Sequence, residues 1–71
     1  MDNVIFYHTE TCPQCRMVKM LLDKYGIKYD SCTDVDEMKN KGINHTPAIE
    51  VGGTMLQGKE MMTWVNSFKV L

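Results

Sequence analysis

Val4-Ile5-Phe6-Tyr7-His8-Thr9-Glu10-Thr11-Cys12-Pro13-Gln14-Cys15 runs from a short apolar segment through a polar loop into a cysteine pair that spans a proline. The apolar segment is β-branched and aromatic with no alternation, the pattern of a strand buried on both faces. His8 to Thr11 reads as a loop. Cys12 then falls where a helix N-cap belongs, and Pro13 at the first helical position. There its missing N–H costs nothing, because first-turn N–H groups have no intrahelical acceptor. Met17, Val18, Leu21, Leu22 and Tyr25 follow at helical spacing, and Gly26 supplies the stop.

Further along, Ile27 to Ser31 alternates, with Ile27 and Tyr29 on one face, and predicts a second strand. Asp34 with Glu37 resembles a capping box and opens a short helix that ends near Lys41-Gly42. Pro47 precedes a third strand, Ala48-Ile49-Glu50-Val51. Gly52-Gly53 is a hairpin signal before a fourth, Thr54-Met55-Leu56, which Gly58 breaks. Met61, Trp64, Val65 and Phe68 fall at i, i+3, i+4 and i+7, one face of a last helix. The predicted order is β-α-β-α-β-β-α, an α/β chain. The first two strands should be parallel through a right-handed helical crossover and the last two antiparallel, giving a four-stranded mixed sheet with three helices on its two faces.

A chain of 71 residues holds one small domain, expected over 1–71. Its 44% apolar and 24% charged residues have the balance of a folded soluble protein. No apolar run approaches the ~18–20 residues needed to span a bilayer, so no membrane role is expected. Asp2-Asn3 leads directly into the first strand, with no basic segment or long apolar one. That predicts no secretory signal and a cytoplasmic location. A net charge of −1 without a basic cluster argues against nucleic acid as partner.

The three cysteines are not a stapling framework: the count is odd, and Cys12 and Cys15 would close too small a loop to stabilise the fold. Close cysteines in a chain with no export signal read as redox or metal sites. The positive end of the helix dipole and the unpaired first-turn N–H groups favour a thiolate at Cys12. Cysteines so placed have pKa values of roughly 3.5–7.5. Cys15, one turn further in, should be more buried and close enough to resolve a mixed disulfide formed on Cys12. Arg16 and Lys19 add positive charge near the same end. Cys-x-x-Cys is also half a zinc site, but Cys32, His8 and His45 offer no second ligand spacing. Redox chemistry is therefore the main expectation, with no metal site. A metal carrier using Cys12, Cys15 and either Cys32 or His45 is the competing class. On the residues alone Cys32 is a small hydrophobe, His8 and His45 are polar loop residues, and Pro47 is an edge or turn proline. Met17, Met20, Met55, Met61, Met62 and Trp64 are expected to fill the core.

Taken in order, Val4-Ile5-Phe6-Tyr7, Glu10-Thr11-Cys12-Pro13-Gln14-Cys15, Thr46-Pro47-Ala48 and Gly52-Gly53 before a last strand and helix resemble a glutaredoxin-type member of the thioredoxin superfamily. The resemblance implies the minimal thioredoxin fold, a cis Thr46–Pro47 bond, Cys12 as nucleophile and Cys15 as resolving thiol. It implies that Thr46 binds an extended substrate through its backbone, with Thr11, Pro13, Gln14, Pro47 and Gly58 completing the substrate site. It implies a monomer with no tightly bound cofactor, acting on protein disulfides and drawing electrons from glutathione or from thioredoxin reductase. The chain also departs from glutathione-using members. Gln14 stands where they have Tyr, His8-Thr9 where they often carry Lys or Arg, and Leu56-Gln57-Gly58-Lys59-Glu60 where they hold a glutathione carboxylate. In that last segment the Gly58 N–H and Lys59 are the groups that could meet a carboxylate. Gln14 is similar to the small redoxins that donate electrons to ribonucleotide reductase (the NrdH-redoxin type), so the electron donor stays open between the two.

Overall fold

In a computed structural model that describes residues 3–68, the chain follows the order its sequence predicts; the ends of the 1–71 span lie outside the described residues. The elements are β1 (Val4–Tyr7), α1 (Pro13–Lys24), β2 (Asp30–Cys32), α2 (Val35–Asn40), β3 (Ala48–Val51), β4 (Thr54–Gln57) and α3 (Gly58–Asn66). They build a four-stranded mixed sheet in the order β2-β1-β3-β4. β1 runs parallel to β2 and antiparallel to β3, and β3 pairs antiparallel with β4 across the Gly52-Gly53 turn. This is a minimal thioredoxin-like α/β fold. Among the described residues no helix is long and apolar enough to cross a membrane.

The unbroken apolar character of β1 follows from its two covered faces. Phe6 lies opposite Ile49, and Tyr7 opposite Ala48. Phe6 and Ile49 face a core with Cys15, Val18 and Leu22 of α1 and Met61 and Val65 of α3. Tyr7 and Ala48 face a second core with Met38 of α2 and Ile43. So α1 and α3 share one face of the sheet, and α2 covers the other.

The caps fall where the sequence placed them. Asp34 Oδ1 accepts from the N–H groups of Asp36 (3.0 Å) and Glu37 (3.3 Å). Both α1 and α2 close with the same pair of bonds. Gly26 N–H donates to Asp23 O and Ile27 N–H to Leu22 O; Gly42 N–H donates to Lys39 O and Ile43 N–H to Met38 O. This Schellman arrangement needs positive φ at the residue after the cap, and Gly26 (69°) and Gly42 (77°) supply it. Glu50 Oε1 accepts from Tyr7 Oη (3.1 Å) and from Lys41 Nζ (2.9 Å), tying the C-cap of α2 to the sheet.

Three expectations are corrected. β2 begins at Asp30 instead of Ile27, because the Ile27 N–H is engaged in the α1 cap; Ile27 and Tyr29 still turn half-buried toward the core. Gly58 ends β4, as its place in the sequence predicts, and is itself the first residue of α3, which follows the strand directly. Met17 and Met20 are 50% and 70% exposed, not core. At 100° per residue they fall on the opposite half of α1 from Val18 and Leu22. Phe68 lies past the end of α3 and is exposed, its ring edge against Trp64 at 4.8 Å.

Candidate active site

Cys12 is the N-cap of α1, with extended backbone (φ −100°, ψ 108°). Its sulfur takes the role that an Asp or Ser oxygen fills at most helix starts: Cys12 Sγ accepts the Cys15 N–H at 3.1 Å. Pro13, with no N–H to satisfy, follows at the first helical position. The Cys12 thiol also donates to the Thr46 carbonyl at 3.7 Å. Thr46 reaches this position on the segment that joins α2 to β3, and the Thr46–Pro47 peptide is cis. Cys12 is half-buried and Cys15 is 2% exposed; both are free thiols, as is Cys32.

The two sulfurs are driven apart electrostatically. Burial pushes the Cys12 thiol up. Hydrogen bonds to its sulfur from the Cys15 thiol and N–H, the Thr46 side chain and the Gln14 N–H more than offset this, so its pKa lies below the ordinary thiol value. Burial pushes the Cys15 thiol up, its bond to Cys12 adds to the rise, and the Thr9 backbone and Thr46 side chain only partly offset both. The arrangement gives one sulfur that ionises readily and one held protonated behind it. Alkylation of the reduced protein by iodoacetamide is therefore expected to label Cys12 first. Because Cys12 ionises early, its rate should rise with pH and level off with a midpoint below that of an ordinary thiol. A midpoint at or above that value would contradict the hydrogen-bond account.

Beside the cysteines lies a groove of about 550 Å³, lined by Gln14, Met17 and Val18 of α1, His45, Thr46 and Pro47, Gln57 at the end of β4, and Gly58, Met61 and Met62 of α3. It brings together four of the substrate residues proposed from sequence: Gln14, Thr46, Pro47 and Gly58. Thr11 and Pro13 are exposed and do not line it. Met17, His45, Gln57 and Met62 are added by the structure. The abundance of methionine was visible in the sequence. Which methionines meet at one groove depends on how α1 and α3 lie on the sheet.

Neither Arg16 nor Lys19 lines the groove. Lys19 Nζ pairs with Asp23 Oδ2 at 3.1 Å on the exposed face of α1, away from the role expected of it near Cys12; Arg16 is exposed. His8 stacks on Phe6 at 4.6 Å, and its backbone N–H donates to Cys32 O. Burial and then Lys19 push the His8 pKa down, which favours the neutral ring. Cys32 is half-buried against the Tyr7 core. Among the described residues no three His, Cys, Asp or Glu side chains gather to hold a metal ion, so neither Cys32 nor His45 completes a ligand set with Cys12 and Cys15.

Neither the curated proteins nor the solved structures compared with this chain include a match. A family model does: the one described as Glutaredoxin matches residues 4–56, from the first residue of β1 into β4, and so takes in the Cys12 helix start, α2 and the Thr46–Pro47 segment. With that match over most of its length, and with the four-stranded sheet and three helices in place, the chain belongs to the glutaredoxin family.

Proposed function

We propose that the protein is a small thiol–disulfide oxidoreductase in which Cys12 is the nucleophile and Cys15 the resolving thiol. The observation that carries this reading is the sulfur N-cap. Cys12 Sγ receives the Cys15 N–H at 3.1 Å at the positive end of α1, with Cys15 buried one turn behind it. The Cys12 thiolate attacks one sulfur of a substrate disulfide. A Cys12–substrate disulfide forms, and the other substrate sulfur leaves as a thiolate that takes up a proton. With the Cys12 charge now consumed in a bond, one cause of the raised Cys15 pKa is gone. Cys15 loses its proton and attacks Cys12 Sγ, releasing the second substrate thiolate and leaving a Cys12–Cys15 disulfide. Two electrons have passed to the substrate. Thr46 presents its backbone to an extended substrate segment, and Gln14, Pro47 and Gly58 border that segment.

Regeneration of the dithiol requires two electrons from glutathione or from a flavoprotein such as thioredoxin reductase. One observation favours the second donor, and with it the role of electron donor to ribonucleotide reductase: among the described residues no charged side chain lines the groove, so the carboxylates of glutathione find no ion-pair partner in its lining. Lys59, which could attract a carboxylate, is exposed and outside the lining.

The test is Cys15→Ser. Without a resolving thiol, the variant should accumulate mixed disulfides between Cys12 and protein substrates, visible as higher-mass bands that dithiothreitol removes. No trapped species, or unchanged reduction of a protein disulfide, would refute the assignment of Cys15. In parallel, wild-type protein should reduce a protein disulfide faster with thioredoxin reductase and NADPH than with glutathione. The reverse order would return glutathione to the role of donor.

A further inference from the structure

The groove beside Cys12 has two apolar walls. Met17 and Val18 stand on α1, Met61 and Met62 on α3, and Pro47 lies buried between them. Its polar members, Gln14, His45, Thr46 and Gln57, are uncharged or carry a histidine exposed at the surface. A second groove of about 230 Å³ shares His45 and Thr46 with the first and is lined further by Thr9, Val35, Met38, Lys39, Ile43 and Asn44. The two therefore meet at Thr46. A polypeptide laid over Thr46 would pass from one into the other. Among the described residues the only formal positive charge lining either groove, that of Lys39, belongs to the second groove, across Thr46 from Met17, Met61 and Met62.

Methionine walls suit varied apolar side chains, because the unbranched thioether re-packs at little cost. They offer nothing to a carboxylate, which would lose its hydration without gaining a partner. We propose that Met17 and Met62 set the substrate specificity of this site: the groove takes an apolar side chain flanking the reacting cysteine of an extended polypeptide, and disfavours acidic disulfides, glutathione's among them. The proposal rests on the oxidoreductase reading and names the substrate class for it. Met17 is half exposed in the free protein, as a residue that waits for a partner would be. Met20, on the same helix but 70% exposed and outside the groove, has no such role.

The experiment uses two peptides, each with one cysteine in a mixed disulfide with 2-mercaptoethanol. Leucines flank the cysteine in one and glutamates in the other. Dithiothreitol is the reductant, so no biological donor is assumed. Wild-type protein should prefer the leucine peptide by about tenfold in kcat/KM, with the difference in KM, since a buried leucine contributes that order of free energy. Met17→Lys should lower kcat/KM for the leucine peptide and raise it for the glutamate peptide. Met20→Lys makes the same charge change on the same helix and should leave both values as they are. Equal kcat/KM for the two peptides, or equal effects of the two lysine variants, would overturn the specificity proposal while leaving the oxidoreductase reading standing. No turnover of either peptide would overturn both.

Discussion

Cys12→Ser is expected to lower disulfide reduction by at least about a thousandfold, the scale seen when a nucleophile is removed from a covalent mechanism. The serine hydroxyl does not ionise in the range where the Cys12 thiol does, and its oxygen is a poor nucleophile toward sulfur. The substitution also separates chemistry from structure. Cys12 Sγ caps α1 by accepting the Cys15 N–H, and a serine oxygen is among the best acceptors at that position. The variant should therefore unfold at the same temperature as the wild type, or higher, while losing turnover. Circular dichroism melts and steady-state rates on one preparation decide it. Retained activity would show that Cys12 is not the nucleophile. A lost fold would show that the sulfur was needed for packing.

Much of this arrangement was legible in the sequence because local chemistry dictates it. The cysteine and proline at 12 and 13, the acid at 34 and the glycines at 26, 42, 52 and 53 each answer a backbone requirement within a few residues of themselves. The unalternating β1 reported two covered faces before either helix was placed. What escaped depends on competition or on distance. Ile27 has strand chemistry, yet its N–H closes the preceding helix, so β2 starts three residues later than its alternation suggests. Met17 and Met20 have core chemistry, yet α1 buries only the stripe through Cys15, Val18 and Leu22. Periodicity marked Met17, Val18, Leu21 and Leu22 on α1, and Tyr25 at its C-cap, without saying which would reach the sheet. The cysteine pair could be read as a helix N-cap with a second, buried thiol one turn behind it. The walls of the groove could not, because Met17 and Met62 belong to helices 34 residues or more apart along the chain and meet only through the packing of both on β1 and β3.

Phe6→Ala should cost about 3–5 kcal/mol, the range for removing a fully buried aromatic ring. Phe6 is 0% exposed at the centre of β1; it stacks on His8, receives the Tyr29 ring edge-on at 5.7 Å, and packs in the core that contains Cys15. A 71-residue chain has roughly 4–11 kcal/mol of stability in all, so the loss takes a large part of it. At about 4–8 °C per kcal/mol the melting temperature should fall by about 12 °C or more. Phe68→Ala removes the same atoms from a ring that is 41% exposed and touches Trp64 edge-on, and should cost under about 1.5 kcal/mol. Equal losses from the two variants would refute the burial argument. The effect should also reach the reactive sulfur. Phe6 supports the side of α1 that carries Cys15, and Cys15 provides the N–H and thiol that lower the Cys12 pKa. In the cold, where Phe6→Ala still folds, a cavity behind Cys15 loosens those hydrogen bonds. The midpoint of Cys12 alkylation should then move up toward the ordinary thiol value, whereas Phe68→Ala, which leaves that core intact, should not move it.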